Sequence, residues 1–258
     1  MVDSLPAPRS DQPAWALFLD VDGTLINLAE RPDSVIVPES LPALLGRLKG
    51  ALGGALALIS GRSLASLDAL LGKVELDGAG CHGAEIRIAG RVHVHSRADD
   101  VLSSVAKRLA GLTEGIPLSM VEMKSHSIAF HYRPPRLDAF EARRLALAAI
   151  AGEEGRLRLL DGKQVVEILP QAVGKGEAIS HFLGQPPYRD RLPVFVGDDV
   201  TDEEGFREVN SRGGLSIRVG REGATEACFQ AGSVADVVAW LAGPVCHALG
   251  CDKERSAS

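Results

Sequence analysis

An apolar run that stops in two carboxylates constrains this chain more than any other feature. Ala16-Leu17-Phe18-Leu19 leads straight into Asp20-Val21-Asp22-Gly23-Thr24. The run reads as a buried parallel strand. Carboxylates do not stay buried without partners. In α/β sheets ligands bind at the carboxyl ends of strands, which is where these two stand. Residues two apart in an extended chain point the same way. Asp20 and Asp22 can therefore share one metal and one phosphoryl group if the strand geometry persists that far. Gly23 and Thr24 then open a turn with free backbone donors.

The rest of the chain supplies a sheet for that strand. A helix is expected over 39–49, a strand over 55–59 closed by Ser60-Gly61-Arg62, a helix over 63–71 and a strand over 74–76 before Asp77-Gly78-Ala79-Gly80. This is a βαβαβ pattern with right-handed crossovers. The middle changes character. Helices over 98–109 and 137–150 alternate with strands over 119–123 and 127–132 and a hairpin of 156–160 with 164–169 around Asp161-Gly162. Met120, Met123 and Phe130 are expected in the core of that α+β unit. The last third returns to α/β. It has a helix over 176–183, a strand over 192–196, a helix from Asp202 with Thr201 as N-cap, a strand over 216–219 and a helix over 234–241. With 258 residues the chain is long enough for one domain carrying an insertion. The expected division is a flexible 1–13, a core of 14–95 and 170–243, an inserted cap of 96–169, and a C-terminal tail of 244–258, frayed from Cys251 onward.

Several function classes drop out. The formal charge is −6 and no Lys/Arg block forms a nucleic-acid footprint. No run of 18 apolar residues spans a membrane, and residues 1–13 lack the apolar core of a secretory signal. The four cysteines have neither disulfide-framework nor zinc-ligand spacing. A cytoplasmic monomer is the expectation.

A second acidic cluster follows the strand over 192–196, in Gly197-Asp198-Asp199, with Asp202 one helical turn beyond Asp198. Four carboxylates gathered at one sheet edge repel each other. A hard cation resolves that repulsion, and oxygen-only ligands suit Mg²⁺. Acidic residues in a first helical turn also satisfy the helix dipole, which is an alternative reading of Asp202 and Glu203. Ser60, with the N–H groups of Gly61 and Arg62 behind it, can hold phosphoryl oxygens at a helix start. Ser-Gly is also a common turn. Lys175 opens a helix in Val173-Gly174-Lys175-Gly176, against the dipole preference, which calls for a phosphate or carboxylate partner.

Taken together, these elements resemble the haloacid-dehalogenase-like (HAD) phosphohydrolases. The four dispersed motifs of that superfamily match Asp20-Val21-Asp22-Gly23-Thr24, Ser60, Lys175, and Gly197-Asp198-Asp199 with Asp202, in order. The resemblance implies an α/β fold: a HAD-like Rossmannoid parallel-sheet core with an inserted α+β type C2 cap. Cys81-His82-Gly83-Ala84-Glu85, Val121-Glu122-Met123-Lys124-Ser125-His126-Ser127, Ala129-Phe130-His131-Tyr132-Arg133 and Gly162-Lys163-Gln164-Val165-Val166-Glu167-Ile168 narrow it. These segments look like those of trehalose-6-phosphate phosphatases, and the likeness runs from about residue 15 to 240.

That resemblance implies a Mg²⁺-dependent hydrolysis of trehalose 6-phosphate through an aspartyl-phosphate. Asp20 would be the nucleophile and Asp22 the general acid and base. Ser60 and Lys175 would stabilise charge on the transferring group. The metal would be held by Asp20, the backbone carbonyl of Asp22, and Asp198, with Asp202 orienting a metal-bound water or Lys175 or ligating directly. Gly61, Arg62 and His82, with Glu122, Lys124 and Glu167 of the cap, would bind the sugar phosphate, and a trehalose-6-phosphate synthase would be the functional companion. The residues themselves agree in part. Glu122 and Lys124 alternate on one strand face, which fits either a polyhydroxyl ligand or a solvated ion pair. Glu167, between Val166 and Ile168, faces away from both. The alternatives are a phosphatase of sucrose- or mannosylglycerate-phosphate type, and a non-catalytic metal-binding regulatory module. The last leaves the polar residues on the cap strands unexplained.

Overall fold

The structure, a computed structural model, describes residues 5–28, 35–72, 74–94, 99–162, 164–220 and 223–251. Lys163 of the expected hairpin, Ala98 of the expected helix, and residues 1–4 and 252–258 of the expected termini lie outside these. Two compact units divide the chain: Met1–His93 with Gly174–Ser258, and Val94–Val173.

The first unit is built on one eight-stranded sheet. Its strands are β1 (Trp15–Leu19), β2 (Leu56–Ile59), β3 (Asp77–Gly80), β4 (Glu85–Ile88), β5 (Arg91–Val94), β10 (Leu192–Gly197), β11 (Leu215–Val219) and β12 (Phe229–Ala231), with β6–β9 in the second unit. The order is β12-β11-β10-β1-β2-β3-β4-β5. β12 through β3 run parallel, and β4 pairs antiparallel to β3. β1 shows why an uninterrupted apolar run was needed. Trp15, Leu17 and Leu19 enter one core, and Ala16 and Phe18 enter another on the opposite face. Helices α1 (Ser40–Ala51), α2 (Leu64–Leu71) and α7 (Val234–Trp240) cover the first face. Helices α5 (Lys175–Leu183) and α6 (Glu203–Ser211) cover the second.

Phe18 is fully buried, with its ring stacked 5.6 Å from Tyr188 and tilted 5.8 Å from Phe182. Phe18→Ala should cost about 3–5 kcal/mol, read as a lowered urea midpoint at unchanged m-value. A shift worth less than about 1 kcal/mol would contradict this packing.

Four sequence expectations change. The third strand is not 74–76 but the glycine-rich segment after it. At Gly80 a Cβ would stand 2.7 Å from the Leu64 nitrogen, so glycine here serves close packing and not a turn. Thr201 is not the N-cap. Residues Val200–Asp202 form a 3₁₀ turn capped by Asp199, whose carboxylate and that of Asp202 form a capping box. Residues 5 and 6 of the stretch expected to be flexible are anchored: Trp240 Nε1 donates to the Pro6 carbonyl at 2.7 Å, and Leu5 packs on the core. Residues 244–251 belong to the first unit's core and are not a tail outside it. α8 (Cys246–Leu249) ends at Gly250, φ +72°, with the Cys251 N–H on the Cys246 carbonyl, and Val245, Cys246 and Cys251 join the core around Trp15.

The second unit is a four-stranded antiparallel sheet of β6 (Met120–Met123), β7 (Ile128–His131), β8 (Leu157–Gly162) and β9 (Val165–Pro170), ordered β6-β7-β9-β8. The strands run through Asp161-Gly162, because Gly162 pairs with Val165, so the expected turn residues belong to the ladder. Ile128, Phe130, Val166, Ile168 and Leu157 pack with α3 (Asp99–Leu112) and α4 (Ala139–Ala149) on one face. Phe130 lies in that core as expected. Met120 and Met123, on the edge strand β6, are exposed.

Candidate active site

The position of the site follows from the strand order. The chain leaves β1 toward β2 and β3, and returns later to place β10 on the other side of β1. The carboxyl ends of β1 and β10 meet at that switch point, where a crevice is available for ligands. Leu19 pairs with Val196, which brings Asp20 level with Gly197 and the Asp198 loop beyond it. One carboxylate oxygen each of Asp20, Asp198 and Asp202 lie within 4.8 Å of one another. Gly23, at φ +80°, lets this happen: a Cβ there would stand 2.0 Å from Asp198 Oδ2.

Lys175 enters from the start of α5. It is 4% exposed, and its Nζ donates to Asp20 Oδ1 at 2.8 Å and to Asp202 Oδ1 at 2.5 Å. The carboxylate partner asked for by a lysine at a helix start is therefore present twice over. Asp202 Oδ2 accepts from the backbone N–H groups of Asp198 and Asp199, both at 3.0 Å. With both oxygens so occupied, Asp202 holds Lys175 and shapes the Asp198 loop.

The charges do not balance. Three carboxylates face one ammonium, leaving an excess of two negative charges in a largely buried site. Burial raises the Asp20 carboxyl well above the ordinary aspartate range, with Lys175 opposing and Asp202 adding to the rise. Burial, then the charge of Asp202, pushes Asp198 up to about 6. For Lys175, burial works against the ammonium, but Asp20 and Asp202 outweigh it and raise its pKa above the usual lysine range. An all-oxygen donor set with two surplus negative charges suits a hard divalent cation.

Asp22 does not join the three carboxylates. β1 ends at Leu19, and the turn beyond it is closed by Gly23 N–H on the Ile26 carbonyl at 2.7 Å. The shared strand face expected for Asp20 and Asp22 therefore ends before Asp22. Its side chain instead makes a bidentate pair with Arg62, Nε and Nη2 each 2.6 Å from an oxygen. Ser60 is buried at the end of β2 and accepts at Oγ from the Arg62 N–H at 3.1 Å. Gly61 lies against the His82 imidazole. The loops after β2 and β3 are tied by His82 N–H to the Ser60 carbonyl and Cys81 N–H to the Arg62 carbonyl. Ser60, Gly61, Arg62, His82 and Asp22 thus form one group of loop residues beyond the carboxyl ends of β1, β2 and β3.

A cavity of about 370 Å³ opens beside Asp198, lined by Gly23, Asn27, Val219 and Ser233. A roomier one, about 620 Å³, lies at the opposite ends of the strands beside Asp77 and Arg87. There Arg87 is already paired with Asp68 and the Leu76 carbonyl.

In the second unit, Glu167 is buried and Lys124 Nζ lies 3.2 Å from its Oε1. Glu122 is more exposed. Glu122 and Glu167 both stand directly opposite Ala129, on the two strands that flank β7. They share the sheet face turned away from the helices. Two partners on that face escaped the sequence reading. Ser127 Oγ donates to Glu167 Oε1 at 2.5 Å, and His131 Nε2 lies 2.8 Å from Glu122 Oε2. The signal was there in the alternation Ser127-Ile128-Ala129-Phe130-His131, in which Ile128 and Phe130 fill the core and Ser127, Ala129 and His131 face the other way.

Comparison with known proteins agrees with this geometry. The trehalose-phosphatase family profile matches residues 18–233. A probable trehalose-phosphate phosphatase of Sinorhizobium fredii is 45% identical over 219 residues, covering 84% of this chain and 82% of its own. Trehalose-6-phosphate phosphatase of Escherichia coli is 41% identical over 230 residues, covering 88% and 85%. The structure of the Aspergillus fumigatus trehalose-6-phosphate phosphatase superposes with a TM-score of 0.71 at 26% identity, covering 93% of this chain and 98% of that one. A sugar phosphatase of HAD subclass IIB shares the fold, with a TM-score of 0.63 at 13% identity over 87% of this chain and 96% of that one. With a parallel core, an inserted cap and acidic groups at the switch point, the chain belongs to the trehalose-phosphatase family of the HAD superfamily.

Proposed function

We propose that the chain hydrolyses trehalose 6-phosphate to trehalose and phosphate through a phosphorylated Asp20. The observation that carries the phosphatase chemistry is the buried Asp20 carboxylate, held by Lys175 at one oxygen and placed beside Asp198. Asp20 attacks phosphorus in line, the bond to the sugar oxygen breaks, and Asp22 gives that oxygen a proton. Water then attacks the phosphoryl group, the bond to Asp20 breaks, and Asp22 takes the water's proton. Asp22 starts in a bidentate pair with Arg62, so Arg62 must let go before Asp22 can act. The substrate's phosphoryl or sugar oxygens offer the guanidinium an equivalent partner. Lys175 and Ser60 stabilise negative charge on the transferring group. Mg²⁺, held by the Asp20 and Asp198 carboxylates and the Asp22 carbonyl, would neutralise the surplus charge and polarise the phosphoryl group. Asp202 positions Lys175.

The cap supplies specificity in this reading. Glu122, Lys124 and Glu167 bind sugar hydroxyls, as a pair of acceptors flanking Ala129 with an ammonium beside them. Removing one such charge-assisted hydrogen bond should cost roughly 1.5–3 kcal/mol. That is about ten- to a hundredfold in kcat/KM for trehalose 6-phosphate in Glu122→Ala or Glu167→Ala. p-Nitrophenyl phosphate has no hydroxyls for these groups, so its hydrolysis should respond far less. Equal losses on both substrates would mean that the carboxylates support the fold. No loss on either would mean that neither carboxylate takes part in substrate binding. A phosphate-release screen over phosphorylated mono- and disaccharides tests the substrate itself. Preference for another sugar phosphate would replace trehalose 6-phosphate in this assignment.

A further inference from the structure

The middle strand of the cap sheet does more than present a floor. Glu122 and Glu167 are both opposite Ala129, and the residues two before and two after Ala129 lie on that same face. Those residues are Ser127 and His131, and each bonds one of the two carboxylates. We propose that Ser127 and His131 are positioning residues for substrate selection, aiming Glu167 and Glu122 before the sugar arrives. This rests on the reading of the two glutamates as sugar-binding groups.

The ion pair alone is a poor means of aiming. Lys124 Nζ is 3.2 Å from Glu167 Oε1, and its side chain is 43% exposed on a flexible stem. Such an ammonium acts as a point charge with little directional hold. Ser127 differs in each respect. It is buried, its side chain is one bond long, and its hydroxyl meets Glu167 at 2.5 Å, the short range of a bond to an ionised acceptor. Glu122 is nearly half exposed and has no ion-pair partner other than His131 among the described residues. Without His131 its side-chain torsions would sample many rotamers. A carboxylate has lone pairs for about four hydrogen bonds, so one fixed bond leaves capacity for sugar hydroxyls. Ordering the carboxylates in the free enzyme removes that cost from binding.

The test is the ratio of kcat/KM for trehalose 6-phosphate to that for p-nitrophenyl phosphate. Ser127→Ala and His131→Leu should each lower this ratio about tenfold, as expected for one charge-assisted hydrogen bond. Ser127→Thr keeps the hydroxyl and His131→Gln keeps a donor at the Nε2 position, so both should restore the ratio to within about twofold. In a Glu167→Ala background, Ser127→Ala should change the ratio no further, because the bond it removes is already gone. Independent, multiplying losses would overturn the proposal, and so would failure of the Thr and Gln variants to rescue. If Glu167→Ala lowers the ratio and Ser127→Ala does not, the positioning role is wrong and the sugar-binding reading stands. If Glu167→Ala leaves the ratio unchanged, both fall together.

Discussion

Replacing Asp20 with asparagine is expected to lower kcat for phosphate release by about 10⁴–10⁶-fold in a protein that stays folded. An amide oxygen does not attack phosphorus as a carboxylate does, and no aspartyl-phosphate can form on it. The fold should survive because the substitution keeps the shape of the side chain and relieves a crowded site. Burial already disfavours the Asp20 charge. Once that charge is gone, Lys175 still has Asp202 at 2.5 Å, so one cation faces one directly bonded anion and neither is stranded. The thermal midpoint should therefore move by no more than a few degrees, the scale of about 1 kcal/mol in a domain of this size. Both trehalose 6-phosphate and p-nitrophenyl phosphate hydrolysis should disappear together, unlike the selective losses expected of the cap residues. Beryllium fluoride, a phosphoryl mimic, should attach to Asp20 in the unmodified protein. Attachment at Asp22 or Asp198, or turnover retained by Asp20→Asn, would reverse the roles.

What could be read in advance was set by chemistry that is local in sequence. β1 was legible because a strand buried on both faces must be apolar throughout, and its end was legible because a carboxylate follows Leu19. The gathering of Asp20, Asp198 and Asp202 followed from two strands ending in the same kind of group, once they were neighbours, whereas Lys175 by itself asked only for an anionic partner. Three features were not legible. β3 hid in Asp77-Gly78-Ala79-Gly80, because glycine has low strand preference and signals its role only through close approach to Leu64. The C-terminal segment was expected to be a tail, yet Val245, Cys246 and Cys251 complete the core around Trp15. The destination of Asp22 was the third. Period-two reasoning holds only while the strand does, and a turn closed on the Val21 carbonyl swings that carboxylate to Arg62, forty positions away. In the cap, alternation correctly separated Glu167 from Val166 and Ile168. It did not reveal which neighbours would hold the glutamates, because cross-strand partners depend on register.

Chelation should remove activity and Mg²⁺ should restore it, and the size of the metal effect should depend on pH in a direction set by Asp198. In the folded, metal-free protein this carboxyl is pushed up to about 6, first by burial and then by Asp202. Below that value it is mostly protonated, so a cation must displace a proton to bind. Apparent Mg²⁺ affinity should then fall by at least about tenfold for each pH unit below 6. Stability is linked in the same sense. A carboxyl whose pKa is raised on folding takes up protons in the native state, so metal-free protein loses stability as pH rises from about 4 through 6. Asp20 is raised too and adds to the effect. A bound cation removes the penalty by stabilising both ionised groups. The rise in thermal midpoint on adding saturating Mg²⁺ should therefore be small at pH 5 and larger at pH 7.5. Asp198→Asn should flatten that dependence and weaken Mg²⁺ binding. Zn²⁺ should bind yet support little turnover, because its preference for four ligands suits this oxygen-rich site poorly. Full activity after exhaustive chelation, or a midpoint shift that is the same at both pH values, would show that the surplus charge is balanced by something other than a metal.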